Sequence, residues 1–167
     1  AAVRSVSCGD VHTLALTTEG EVWAWGDGSY GATGNASAPL SSWGVASEPP
    51  QSLNKVVLPL AEGEEVTSVV AGSFHSLATT THGRVLAWGD NTHGQLGEGR
   101  KLGFVFSLIQ EVQSGARQLD EEDVQRELEE AARVTEVELP LQAGERVVAV
   151  TSAVFHSAAL TDRGRLL

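Results

Sequence analysis

A gapless internal repeat limits what this chain can fold into more than any other feature. Residues 3–34, VRSVSCGDVHTLALTTEGEVWAWGDGSYGATG, align with residues 66–97, VTSVVAGSFHSLATTTHGRVLAWGDNTHGQLG, at an offset of 63, with 17 of 32 positions identical. A third copy begins at Val147 and matches residues 66–86 at 10 of 21 positions, at an offset of 81. Self-similarity at such a period means one supersecondary unit built several times and stacked.

Within each copy the pattern is β. The short runs VRSVSC and VTSVVA are followed by HTLALTT and HSLATTT, then a turn ending in Gly20, Gly83 or Gly164, then EVWAWG or RVLAWG. Two apolar runs joined by a short turn with a late glycine form a hairpin. KVVLPL (55–60) and EVELPL (136–141) fit a fourth strand. Alternate residues are apolar on both faces: Val22 and Ala24 on one, Trp23 and Trp25 on the other. Strands buried on both faces pack between other sheets, and small residues at Ala15, Ala78 and Ala159 let those sheets approach. Four short strands per unit with recurring turn glycines give a β-propeller. The expected fold is all-β: an open arc of about two and a half four-stranded blades with one inserted α-helix. The expected divisions are 1–65, 66–146 and 147–167, with the insertion near 116–134.

GSFHSLATTTHGRVLAWGDNTHGQLG (72–97) resembles the repeat of the regulator of chromosome condensation family almost throughout. The first copy departs from that repeat at Ala32 and Thr33, the third at Ala153. The resemblance implies a propeller, seven-bladed in the best-known members, of which this chain supplies under half. It does not imply one activity. Relatives include exchange factors for a small GTPase, ubiquitin-ligase domains, an ultraviolet receptor and an enzyme inhibitor. The ultraviolet receptor carries G-W-R-H-T, whereas the residues before the histidines here are Asp10–Val11, Ser73–Phe74 and Val154–Phe155.

The first copy also spells G-x-G-x-x-G at Gly26, Gly28 and Gly31, the sequence of a dinucleotide turn. Asn91 replaces Gly28 in the second copy, and a Pro- and Ser-rich loop follows in place of a helix. Without a helix N-terminus to face a phosphate, these glycines read as turns. His12, His75 and His156 recur once per copy. Equivalent residues of successive blades spread around an axis, so the expectation is three buried structural histidines bonding backbone between blades, not one metal site. His82 and His93 read as surface, Asp27 and Asp90 as caps of their own turns, and Cys8 as a small buried residue. No catalytic set and no cofactor or metal site stands out, and the chain is read as not an enzyme.

The net charge of −11 argues against non-specific binding to nucleic acid or an anionic membrane. No run of 18 apolar residues exists. One cysteine and no visible signal peptide fit an intracellular, cytoplasmic or nuclear, protein, and the lack of any Met suggests a piece of a longer one. The expected function is a protein–protein interaction scaffold; the alternative is a guanine-nucleotide exchange factor whose partner is a small GTPase. Two places are candidates for partner contact. Trp43 stands in the loop SSWGVASEPP, where it either meets a partner or folds back over its blade. The stretch after Asp120, rich in Asp and Glu, reads as a helix with a thin apolar stripe of Val124, Leu128 and Ala131. It is either a docking helix or a solvated excursion that the propeller does not need.

Overall fold

The computed structural model describes residues 1–28, 30–35, 51–97 and 121–167. It is an open partial propeller. The first blade is β1 (Val3–Cys8), β2 (His12–Thr17), β3 (Val22–Gly26) and β4 (Gln51–Lys55), an antiparallel sheet in chain order. The second is β5 (Val66–Ala71), β6 (His75–Thr80), β7 (Val85–Gly89) and β8 (Thr135–Glu136) in the same order. The third holds β9 (Val147–Ser152) and β10 (Ser157–Thr161), with a single bridge from Leu160 to Leu166. Helix α1 (Glu121–Ala132) precedes β8.

The hairpin turns carry the expected glycines. Gly20, Gly83 and Gly164 lie at φ 78°, 76° and 75°. Each N–H bonds the carbonyl of a strand-end threonine, Thr17, Thr80 or Thr161. A left-handed residue closing a short loop lets the hairpin keep its right-handed twist.

Side-chain alternation assigns each face of the middle blade to a different neighbour. Val69, Ala78, Leu86 and Trp88 point toward the first blade and form a core with its Leu14, Leu16, Val22 and Ala24. Leu77, Val85 and Ala87 point the other way and pack with Val147 and Ala159 of the third. Every residue of β6 and β7 is therefore buried, whereas β1 is almost wholly exposed.

Three expectations of burial are corrected by this layering. Cys8 is exposed on β1. Trp23 and Trp25 are only half-buried while their counterparts Leu86 and Trp88 are fully buried, because no described sheet covers the outer face of the first blade. The fourth strand also shifts. β4 ends at Lys55 and β8 at Glu136, where the strand was expected to begin. One more ladder bond follows in each blade, Val56 N–H to Val22 O and Val137 N–H to Val85 O at 2.8 and 2.9 Å. Pro59 and Pro140 come next and cannot donate to a ladder.

Strands three and four of each blade are joined by an ion pair whose sign is reversed between blades. In the first, Lys55 Nζ meets Glu21 at 2.5 Å. In the second, at equivalent positions, Arg84 meets Glu136 at 2.8 Å and also the buried Glu64 at 2.6 Å.

The helix is not a free excursion. Its last residues, Ala131 and Ala132, are buried. A Cβ added to Gly31 of the first blade would overlap the backbone of Ala131 and Ala132. Val134, just beyond, packs on the core between the first two blades. The segment lies outside the sheets, as expected, but its end is part of the packing.

Candidate functional site

The repeated polar residues converge on the seams between blades. At the first seam His12 Nε2 is 2.7 Å from Ser76 Oγ, and Ser76 Oγ–H donates to Ala32 O at 2.8 Å. A hydroxyl has one proton, and here it goes to Ala32, so Ser76 must accept from His12. His12 is thereby fixed as the neutral Nε2–H tautomer. Trp88 Nε1–H donates to the same carbonyl at 2.9 Å, and Ala71 N–H to Ser7 Oγ at 2.9 Å. At the second seam His75 Nε2 is 2.9 Å from Ser157 Oγ. An aromatic pair flanks each: Tyr30 with Phe74 at 4.7 Å between ring centroids, His93 with Phe155 at 4.2 Å.

His12 and His75 are buried as expected, but each bonds a side-chain hydroxyl of the next blade rather than backbone. Their Nδ1 atoms have no hydrogen-bond partner among the described residues. Burial lowers the pKa of His12 to about 4, helped by the facing His75. Burial does the same for His75, to about 4, opposed by Asp90 and reinforced by His156. Neutral buried imidazoles resist taking a second proton. His156 is exposed, which corrects the expectation for the third copy: no described sheet lies beyond it. The signal for the cross-blade bond stood in the sequence, since a hydroxyl follows every one of these histidines: Thr13, Ser76 and Ser157.

Asp90 caps its own turn, accepting from Thr92 N–H at 3.2 Å, from the Thr92 hydroxyl, and from Gln95 Nε2 at 2.6 Å. His93 is exposed but lies against the Phe155 ring in a tilted pair. Among the described residues no three His, Cys, Asp or Glu side chains gather as a metal set. No described helix is long and apolar enough to cross a membrane.

Two of the candidate contact residues, Val124 and Leu128, fall on α1, but their side chains lie outside what the structure describes; Trp43 lies outside the described residues altogether. On the described surface of the first blade the outer strand and its continuation present Leu53 and Val57, 58 % and 86 % exposed. Position 57 is matched by Glu138 in the second blade.

Two family models described as the regulator of chromosome condensation (RCC1) repeat match this chain, one over residues 3–32 and 66–95, the other over 19–79 and 82–111. The RCC1 domain-containing protein RUG3, mitochondrial, of Arabidopsis thaliana is 43 % identical over 95 residues, 57 % of this chain and 19 % of that protein. Human E3 ubiquitin-protein ligase HERC2 is 40 % identical over 97 residues, 58 % of this chain and 2 % of that protein. In the solved structures, Prp20p of Saccharomyces cerevisiae, described with its binding to Gsp1p and histones, superposes with a TM-score of 0.59 at 22 % identity, covering 98 % of this chain and 31 % of that one. The complex of Kap60 with yeast RCC1 gives 0.60 at 23 % identity, with the same coverages of 98 % and 31 %. The chain thus spans a third or less of these relatives. The family models cover more than half of its residues, the repeats of the first begin with the first strands of the first two blades, and the propeller geometry agrees: the chain belongs to the regulator of chromosome condensation (RCC1) repeat family.

Proposed function

We propose that these blades are a protein–protein interaction scaffold and carry no catalysis of their own. The observation that supports this is where the repeated polar residues are used. His12 and His75 are each buried in a seam and held by a serine of the neighbouring blade, Ser76 or Ser157, which is a structural use of the imidazole. What differs between blades is the exposed Val57, the sequence between β3 and β4 that holds Trp43, and the acidic stretch with Val124 and Leu128. The partner is a protein, and one that meets α1 presents Lys or Arg. Direct binding of nucleic acid is not part of this reading. An intracellular setting fits it, and the mitochondrial relative adds that organelle to cytoplasm and nucleus.

The second reading is guanine-nucleotide exchange on a small GTPase. Fold likeness to Prp20p, described as binding Gsp1p, favours considering it. The test uses the full-length protein. Trp43→Ala, Val124→Asp and Leu128→Asp are each compared with the parent in an affinity pull-down, alongside nucleotide release from a panel of small GTPases. Loss of a salt-sensitive partner without any nucleotide release is the expected result. Accelerated release from one GTPase would replace the scaffold with the exchange factor.

A further inference from the structure

The seams hold a buried titratable group that the scaffold reading does not use. His12 is 3 % exposed and His75 fully buried. Each gives its Nε2 to a hydroxyl on the next blade, and each leaves Nδ1 without a partner among the described residues. We propose that His12 and His75 are proton-operated latches, whose protonation parts neighbouring blades while the ladder inside each blade stays intact.

The argument is one of placement. On His12 the second proton must go to Nδ1, and in either seam it creates a cation in a site where it has lost its hydration. At the first seam the second blade sets another imidazole, His75, toward His12, and the loops of the first blade carry Asp10 and Asp27. At the second seam His75 is faced by Asp90 from its own blade, by His12 from the first and by His156 from the third. Asp90 already accepts from Thr92 and Gln95. The bonds inside a blade, from β5 through β7, use none of these imidazole nitrogens. Separation along the first seam therefore rehydrates the cation and breaks the contacts that cross it: His12 with Ser76, Ser76 and Trp88 with Ala32, Ala71 with Ser7, and the apolar packing between the two blades. Burial that lowers the histidine pKa from 6.5 to about 4 makes each seam bind its proton roughly 300-fold more weakly than free imidazole. Opening restores that affinity, so the open fraction rises roughly a hundredfold between pH 7 and pH 4.

Hydrogen exchange on the intact chain tests this, read as protection factors so that the intrinsic pH dependence of exchange cancels. The Trp88 indole N–H reports the first seam, and ladder amides joining β6 to β7 report the blade. Acidification should lower Trp88 protection about a hundredfold, while the ladder amides, though weakened with the domain as a whole, stay better protected than the indole at every pH. Collapse of indole and ladder protection to one shared value would mean whole-domain unfolding without a separate seam opening and would overturn the proposal. In His12→Gln/His75→Gln, the amide still donates to the serine but binds no proton, so the seam should stay closed at pH 4. Opening of that variant at the parental pH would also overturn it. If the variant does not fold, the parent decides. His12 and Trp88 signals should change together on NMR titration. Loss of indole protection while His12 is still neutral would refute the latch.

Discussion

Replacing Ser76 with alanine tests the seam most directly. Ser76 is fully buried and holds two bonds, one from His12 Nε2–H at 2.7 Å and one to Ala32 O at 2.8 Å. Losing the hydroxyl does not orphan Ala32 O, which still accepts from Trp88 Nε1–H at 2.9 Å. It does orphan the His12 N–H in a buried site. A buried donor left without a partner costs about 1–3 kcal/mol. With a urea m-value of about 1–3 kcal/mol/M, the midpoint should fall by roughly 1 M. Ser76→Thr keeps a hydroxyl, as Thr13 does at the same position in the first blade, and should recover part of the loss. A double-mutant cycle with His12→Ala separates this bond from general packing and should give a coupling of about 1–2 kcal/mol. A Ser76→Ala variant within about 0.5 kcal/mol of the parent, or strictly additive with His12→Ala, would refute the cross-blade hydrogen bond as a source of stability.

Further expectations follow from the same contacts. Gly89→Ala places a Cβ 2.7 Å from Phe74 O and 2.8 Å from the His75 Cα at φ 104°, so thermal denaturation should show a cost above about 3 kcal/mol; Gly94→Ala, at φ 81° with nothing within 4 Å, should cost about 1 kcal/mol. Replacing residues 121–134 by a Gly–Ser linker removes the buried Ala131 and Ala132 and the packed Val134, and calorimetry should register a loss of about 1–3 kcal/mol rather than an unchanged melting temperature. For His12 and His75 the folded pKa, about 4, lies below the ordinary 6.5, so the folded state binds fewer protons in that interval. Stability is full above pH 6.5 and falls as pH drops toward 4, by up to about 3 kcal/mol per histidine, and urea midpoints across that range should trace it. Glu145 is held down at about 2 by the Gln142 N–H, the Thr161 hydroxyl and Arg165; Glu145→Gln should destabilise the third blade, seen as faster exchange of the β9–β10 amides.

The features legible in the sequence were those set by local chemistry. Turn glycines at 20, 83 and 164 followed from hairpin geometry, and the two-sided burial of β7, VLAWG, from the apolar pattern it shares with β3. Burial itself was less legible, because it belongs to the neighbouring sheet and not to the residue. Trp25 and Trp88 share a register and an identity, yet only Trp88 has a blade against it. The same asymmetry exposes His156 and Cys8. The hydroxyl residue after each histidine was visible as a repeated feature, but its partner is 64 residues earlier in the chain for His12 and Ser76, a contact that periodicity does not reveal. The docking of Ala131 against Gly31 depends on close approach of backbone to backbone, which no side-chain pattern records.

The reversed ion pairs bear on how the chain sorts itself while folding. Each outer strand returns to its sheet only after a long excursion, from Gly26 to Gln51 in the first blade and from Gly89 to Thr135 in the second. Two returning segments of similar apolar pattern thus compete for two similar edges. Correct docking sets Lys55 beside Glu21 and Glu136 beside Arg84. Exchange of the two would set Lys55 beside Arg84 and Glu136 beside Glu21, two like-charge encounters in place of two opposite ones. Cross-strand charge pairs differ by only about 0.2–1 kcal/mol each, but here both change sign at once. The charges act as an address on each strand, rejecting a swapped return that the apolar residues alone would accept.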